Sequence, residues 1–318
     1  MPTTLQRLVL ASLCTAVIAC GARSSTAPAP LLPEQPRSAT PPDFRFVQMA
    51  DTQFGFFSTP LLMARFEKSL TKDRFERETE NFEQAVAAAA ALDPAFVVMC
   101  GDLVNSWGHE GQAAEFLRIR GQLGGDVPFY VMPGNHDVGN RPTSESLAWY
   151  RETFGPDWYS FEHEGFHGIV LNSSLFTAPD KVRDEAAAQM RWLEEELARV
   201  RSAEPKHIAV FMHFPLFLES AEESGGYFTV PVDARRTLLS LFERYGVRTV
   251  FAGHYHRNAY GRAGNIEMIT TGAVGRPLGD GVSGFRLVDV FSDRIEHHYR
   301  SLDEWTRRAV EVDSKVRP

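Results

Sequence analysis

Five short polar islands lie at the exits of apolar runs, and they constrain the fold of this 318-residue chain more than any other feature. They are Asp51-Thr52-Gln53, Gly101-Asp102, Gly134-Asn135-His136-Asp137, a lone His213, and Gly253-His254-Tyr255-His256. Four of them directly follow the runs Phe44–Ala50, Phe96–Cys100, Ile208–Met212 and Thr249–Ala252. The Gly134 island follows Phe129-Tyr130-Val131 after Met132 and Pro133. Runs of this length ending in polar clusters read as buried strands of an α/β sheet, whose chemistry gathers beyond the strand ends.

The intervening segments carry helical patterns: Arg74–Leu92 with its alanine run, Gly111–Leu123, Ser144–Phe154, Lys181–Arg201 with Asp180 as N-cap, and Val232–Tyr245. Gly168–Leu171 and His207–Met212 complete the buried strands. Strands alternating with helices imply βαβ units and a largely parallel sheet. The tail differs: Ile266–Thr270, Phe285–Val290 and Ile295–His298 follow one another with only turns between, Ser292-Asp293 being one, and predict an antiparallel second sheet packed on the first. The expected class is α/β, a two-sheet β-sandwich flanked by helices in four layers, αββα.

The N-terminus reads as a targeting segment. Arg7 is its only charge, Leu8–Ala19 is mostly apolar, and Cys20-Gly21 follows, a stretch too short to span a bilayer but suited to export. Val17-Ile18-Ala19-Cys20 resembles the lipobox of bacterial lipoproteins, with an ordinary cleaved signal as the alternative. The expected organisation is a signal peptide at 1–19, a lipidated Cys20 and Pro/Ser/Ala-rich linker at 20–42, a catalytic domain at 43–301 and an extension at 302–318. The protein would then be exported to a bacterial cell envelope as a periplasmic lipoprotein, anchored to the membrane by its lipid. Only Cys20 and Cys100 would survive processing, so no intramolecular disulfide is expected. A formal charge of -8 argues against a nucleic-acid partner.

The islands have the chemistry of a two-cation site. Asp51 and Gln53 offer oxygen donors to one ion, and Asp102 can bridge two ions. Asn135 offers an amide oxygen, His213 a ring nitrogen, and His254 and His256, at i and i+2, can each reach a different ion. His136 projects beside the site without binding metal and can protonate a leaving oxygen, with Asp137 placed to take its other ring N–H. Alone, each Asp would read as a turn or cap and His213 as a core histidine; together they point to metal. His109, His163, His167 and His207 have no motif company and read as solvated, and His297-His298 as surface or packing residues.

In this order the islands resemble the calcineurin-like metallophosphoesterase superfamily, over about residues 44–300. Asp51–Gly55, Gly101–Asn105, Gly134–Asn140 and Gly253–Asn258 are most similar to a subgroup containing a eukaryotic serine/threonine phosphatase that also carries glutamine in the second slot. The resemblance implies the four-layer αββα fold and two divalent cations. One would be held by Asp51, Gln53, Asp102 and His256, the other by Asp102, Asn135, His213 and His254, with His136 beside the scissile bond. Candidate metals are Mn, Fe, Zn or Mg. Gln53 replaces the histidine of most members with an oxygen donor, which favours a Mn-type ion.

The implied activity is hydrolysis of a phosphomonoester or phosphoprotein by direct attack of a metal-activated hydroxide. A cyclic-nucleotide or other phosphodiesterase is the rival, for which Phe56, Phe57, Trp107 and Phe217 could form a base-stacking wall. A non-catalytic, membrane-anchored binding module is the remaining alternative. Substrate choice is expected to lie in Phe54–Lys72, Leu216–Thr229 and Asn172-Ser173-Ser174, placed at the rim by position.

Overall fold

The central strands carry apolar side chains on both faces, so each sheet has to be covered twice. On β1 (Phe44–Met49) and β2 (Val97–Cys100), Val47, Met49, Val97 and Met99 join one core cluster while Phe46, Val98 and Cys100 join another. The structure, a computed structural model, describes residues 40–57, 75–124 and 126–307. The segment expected to be a signal peptide, Cys20 and most of the expected linker therefore lie outside the described residues.

One sheet has the order β11-β10-β1-β2-β3, with β3 at Phe129–Met132, β10 at Gly284–Val290 and β11 at Ile295–Ser301. The other runs β4-β5-β6-β7-β9-β8, formed by Tyr159–His163, Phe166–Val170, His207–Phe211, Thr249–Ala252, Ile266–Thr270 and Ala259–Ala263 for β4, β5, β6, β7, β9 and β8 in that order. Strands β1, β2 and β3 are mutually parallel, as are β5, β6, β7 and β9. The antiparallel strands sit outside them: β10 and β11 on one sheet, β4 and β8 on the other.

Helices α1 (Glu76–Leu92), α2 (Glu110–Arg120) and α3 (Ser144–Phe154) cover the first sheet through Phe82, Phe116 and Tyr150. Helices α4 (Arg183–Ser202) and α5 (Val232–Tyr245) cover the second through Leu193, Leu197, Leu238 and Phe242. Between the sheets Phe46 stacks on Phe96 at 4.7 Å and Phe211 on Phe251 at 5.3 Å, with Phe46 and Phe211 meeting edge-on across the gap at 5.9 Å. Each such pair adds about 0.5–1.5 kcal/mol beyond the area it buries. The αββα sandwich is as the sequence predicts.

Two expectations are corrected. The tail does not form its own sheet. Strand β9 joins the second sheet parallel to β7, whereas β10 and β11 cross to the first, where Val288 and Val290 pack in the inter-sheet layer with Phe46. Asp180 caps no helix: α4 begins at Arg183 after a 3₁₀ turn over Pro179–Lys181, and the Asp180 carboxylate pairs with Arg141 instead.

Candidate metal centre

Because β1, β2 and β3 are parallel in one sheet and β6 and β7 in the other, all five islands meet at one edge of the sandwich. The backbone there is strained. Asp51, Gln53, Asp102, His254 and His256 have φ of 56°, 43°, 52°, 66° and 55°. Among the described residues only Asp93, Glu164 and Glu204 share that left-handed conformation without being glycine. It costs a side-chain-bearing residue roughly 1–2 kcal/mol and persists where the surroundings hold it. Here they do: Asp51 N–H donates to Gly101 O at 3.0 Å, Gln53 N–H to Asp102 O at 2.7 Å, and His254 N–H to the Asp51 carboxylate at 3.0 Å. Glycine is required at two contacts. A Cβ on Gly134 would overlap the Asp102 carboxylate, and one on Gly253 would sit 2.7 Å from both Ala50 Cβ and Asp51 Oδ2.

Two groups of donor atoms result, each with its atoms within 4.8 Å of one another: Asp51, Asp102 and His256 in one, Asp102, His213 and His254 in the other. Asp102 belongs to both. Asn135 joins the second group, its Oδ1 lying 3.1 Å from His213 Nε2. Backbone carbonyls set the tautomer of each histidine. His213 Nδ1 donates to Cys100 O at 2.8 Å, His254 Nε2 to Tyr227 O at 3.0 Å, and His256 Nδ1 to Arg276 O at 2.5 Å. The remaining ring nitrogens face inward, the position from which a neutral imidazole binds metal.

The donor set fits two cations on two counts. Gln53 Oε1 is buried without a hydrogen-bond partner among the described residues, although its Nε2 donates to Asn105 Oδ1 at 3.5 Å. An orphaned buried acceptor costs about 1–3 kcal/mol unless something cationic meets it. His254 Nδ1 and His213 Nε2 also lie 3.1 Å apart with Asn135 Oδ1 beside them, a convergence of acceptors that needs a proton or cation between them. The Asn135 amide cannot turn away, because its Nδ2 donates to Asn140 at 2.8 Å.

The electrostatics agree. Burial pushes His254 down to about 3 and His256 down to about 4, so both stay neutral. Burial opposes protonation of His213 too, but the Asp102 and Asp51 carboxylates hold its pKa up at about 9, and a cation there has to displace that proton. Burial would raise Asp102, yet His213 and His136 keep its carboxyl well below the usual range. Burial also lifts Asp51, with repulsion from Asp102 adding to it.

His136 is half-buried beside this cluster. Its backbone N–H donates to Asp102 Oδ1 at 2.9 Å, and its Nδ1 donates to Asn105 O at 2.9 Å. Asp137 does not orient it, a correction to the sequence reading. The Asp137 carboxylate instead accepts from Leu103 N–H at 3.1 Å, Val104 N–H at 3.0 Å and Gly134 N–H at 2.8 Å, tying the second island to the third. Burial and then repulsion from Asp102 push its pKa up to about 7.

The rim departs from expectation in part, and residues 58–72 of its first expected loop lie outside the described residues. Phe217 is fully buried in the core and cannot line a substrate pocket. Asn172–Ser174 is buried as well; Ser173 Oγ accepts the N–H groups of His213 and Phe214 at 3.2 and 2.9 Å and so positions a candidate ligand. The Phe56 ring stands 5.5 Å from that of His256, and Tyr227 sits 5.1 Å from His254, so these two do face the site. The remaining histidines are packed rather than solvated. His109 caps α2, His163 meets Phe44 edge-on at 4.6 Å, His167 lies between Glu162 and Glu196, and His207 bonds Phe291 O.

Arg286 is the residue that sequence reasoning missed. Buried on β10, it reaches across the sandwich to Thr271 Oγ1 at 2.8 Å and Asn258 Oδ1 at 2.7 Å, and within its own sheet to His297 Nδ1 at 2.9 Å. Asn258 ends the island that carries His254 and His256. The signal for Arg286 in the sequence is a charge set between the apolar Phe285 and Leu287 of a strand.

The sequence model for calcineurin-like phosphoesterases matches residues 44–258. The chain belongs to this family. The phosphoesterase is 37% identical to serine/threonine-protein phosphatase CPPED1 of Mus musculus over 279 residues, covering 86% of this chain and 88% of that one. It is likewise 37% identical to CPPED1 of Homo sapiens over 278 residues, covering 85% and 87%. Its fold matches a dimetal phosphatase from Danio rerio with a TM-score of 0.63 at 15% identity, covering 82% of this chain and 97% of that one. Family, fold and donor groups together make this phosphoesterase a metal-dependent hydrolase with a centre for two divalent cations.

Proposed function

We propose that the phosphoesterase hydrolyses phosphomonoesters, phosphoprotein side chains among them. The observation that carries this is the pair of donor groups sharing Asp102, with the half-exposed His136 beside them at the same edge. The printed activity of the CPPED1 relatives, protein serine/threonine phosphatase, supports the phosphoprotein substrate. The burial of Phe217 removes one wall of a nucleobase pocket and weighs against a cyclic diester.

In this reading Asp51, Gln53, Asp102 and His256 hold one cation, and Asp102, Asn135, His213 and His254 the other. The two ions supply charge stabilisation for phosphoryl oxygens and lower the pKa of a water. The protein supplies orientation. Carbonyls of Cys100, Tyr227 and Arg276 lock the ligand rings, and the left-handed backbone aims short side chains inward. With His136 Nδ1–H committed to Asn105 O, the cationic ring, protonated on Nε2 as well, would deliver that second proton to the departing alkoxide and be left neutral. The oxygen at Gln53 favours Mn²⁺ or Mg²⁺ over Zn²⁺.

The test compares 4-nitrophenyl phosphate with bis(4-nitrophenyl) phosphate, using Mn²⁺-loaded protein. Preference for the monoester is expected, and faster diester cleavage would reject the reading. In His136→Ala, metal content should stay at the wild-type level while turnover of poor leaving groups falls roughly 10²–10⁴-fold. Export with lipidation at Cys20 belongs to the same proposal. Labelled fatty acid should enter the wild-type protein and not Cys20→Ser; no helix among the described residues is long and apolar enough to cross a membrane.

A further inference from the structure

We infer that Arg276, seated over Phe56 and Phe57 with Arg77 beside it, forms a subsite for a second anionic group on the alcohol side of the substrate. The inference rests on the phosphomonoesterase reading and names the substrate class within it: phosphoesters whose leaving alcohol also carries a carboxylate or a further phosphate.

The subsite is continuous with the metal centre. The carbonyl of Arg276 accepts the Nδ1–H of His256, which fixes its backbone to a candidate ligand. Its guanidinium carbon lies 4.6 Å from the Phe57 ring centroid and 5.5 Å from that of Phe56, and the Phe56 ring stands 5.5 Å from the His256 ring. One aromatic ring therefore separates the cation from the cluster. Such seating uses the face of the guanidinium, and among the described residues its N–H edge remains available for bidentate contact with a carboxylate or phosphate.

The charge around Arg276 is not neutralised within the described residues. Arg151, Arg199 and Arg294 each meet a carboxylate within 2.8 Å, whereas Arg276 has neither an ion pair nor a hydrogen bond to its guanidinium among them. The carboxylate nearest in its influence is Glu78, whose Oε1 is taken by the N–H groups of Gly55 and Phe57 at 3.1 and 3.0 Å. Glu78 thus holds the segment bearing the two rings rather than pairing with the arginine. Arg77 adds a like charge 5.5 Å from the same Phe57 ring. Burial lowers the pKa of Arg276, opposed by Glu78 and reinforced by Arg77, so the guanidinium carries a desolvation cost that a bound anion offsets. In a chain with a formal charge of -8, two arginines over one ring, neither paired among the described residues, favour an anion. The rings proposed from sequence as a wall for nucleobases serve here as seats for cations.

The experiment uses the Mn²⁺-loaded protein and two matched substrate pairs. One pair is a phosphoserine peptide with Glu or Gln at the flanking positions; the other is carboxyphenyl phosphate against phenyl phosphate. Wild type should favour the anionic member of at least one pair by roughly tenfold in kcat/KM. Arg276→Gln should bring that ratio towards one, Arg276→Lys should keep part of it, and Arg77→Gln, at an exposed position, should lower it with the fold intact. A ratio of one in wild type for both pairs, or a preference that survives Arg276→Gln, overturns the subsite. If neither pair is turned over, the phosphomonoesterase reading fails. Fluorescence anisotropy of the labelled peptides then judges the subsite alone: weaker binding of the Glu peptide to Arg276→Gln upholds it, and equal binding rejects it.

Discussion

Replacing Asp137 separates a catalytic role from a structural one. Its carboxylate accepts three buried N–H groups, from Leu103 and Gly134 on Oδ2 and from Val104 on Oδ1. In Asp137→Ala all three donors are orphaned, at about 1–3 kcal/mol each. Relief of the repulsion from Asp102 offsets part of that, so a net loss of roughly 3–6 kcal/mol is expected, a large share of the 5–15 kcal/mol typical of a domain. Asp137→Asn is gentler. An amide oxygen at Oδ2 keeps the Leu103 and Gly134 bonds, while its NH₂ opposes Val104 N–H, for a loss of roughly 2–4 kcal/mol. Urea denaturation of both variants should show the midpoint falling in the order wild type, Asn, Ala, at an unchanged m-value. Below its unfolding transition Asp137→Asn should retain the pH profile of turnover. An Asn variant with wild-type stability and abolished turnover would refute this account and restore Asp137 to the chemistry.

Other consequences are more briefly stated. Gln53→His replaces an orphaned oxygen acceptor with an imidazole, and competition titration should show the Mn²⁺:Zn²⁺ affinity ratio falling roughly tenfold; an unchanged ratio would mean that Gln53 touches no metal. Arg286→Met should weaken Mn²⁺ binding through the Asn258 island more than it lowers thermal stability, and equal binding would confine Arg286 to the core. Glu196, held by Arg199 and then by Ser160 and His167, has its pKa lowered to about 2. A depressed carboxylate contributes stability above its unfolded value of about 4.3 that is lost as pH falls towards 2, so the gap in melting temperature between wild type and Glu196→Gln should close over that window. A gap constant with pH would refute that pairing.

Asp51, Asp102, Asn135, His213, His254 and His256 were legible because each follows a strand whose apolar run is plain in the sequence, and parallel strands bring such exits to one edge. What holds them was not. The carbonyls of Cys100, Tyr227 and Arg276 carry no side-chain signature, and Asp137 finds its partners 33 and 34 residues away only after β2 and β3 pair. The left-handed backbone at five candidate ligands is equally silent, since Asp, Gln and His rarely adopt it. Strands β4 and β8 escaped notice because Tyr159–His163 and Ala259–Ala263 are half-exposed edge strands with little apolar content. The tail was misassigned for a related reason: helix-free connections signal antiparallel pairing but do not say which sheet a hairpin joins.

The sharing of Asp102 between two donor groups is the centre of this account. Elemental analysis after equilibrium dialysis against Mn²⁺ tests it on four proteins. Wild type should hold two ions, His254→Ala and His256→Ala one each, and Asp102→Asn close to none while remaining folded by circular dichroism. A folded Asp102→Asn that keeps both ions, or a wild type that holds only one, would contradict it.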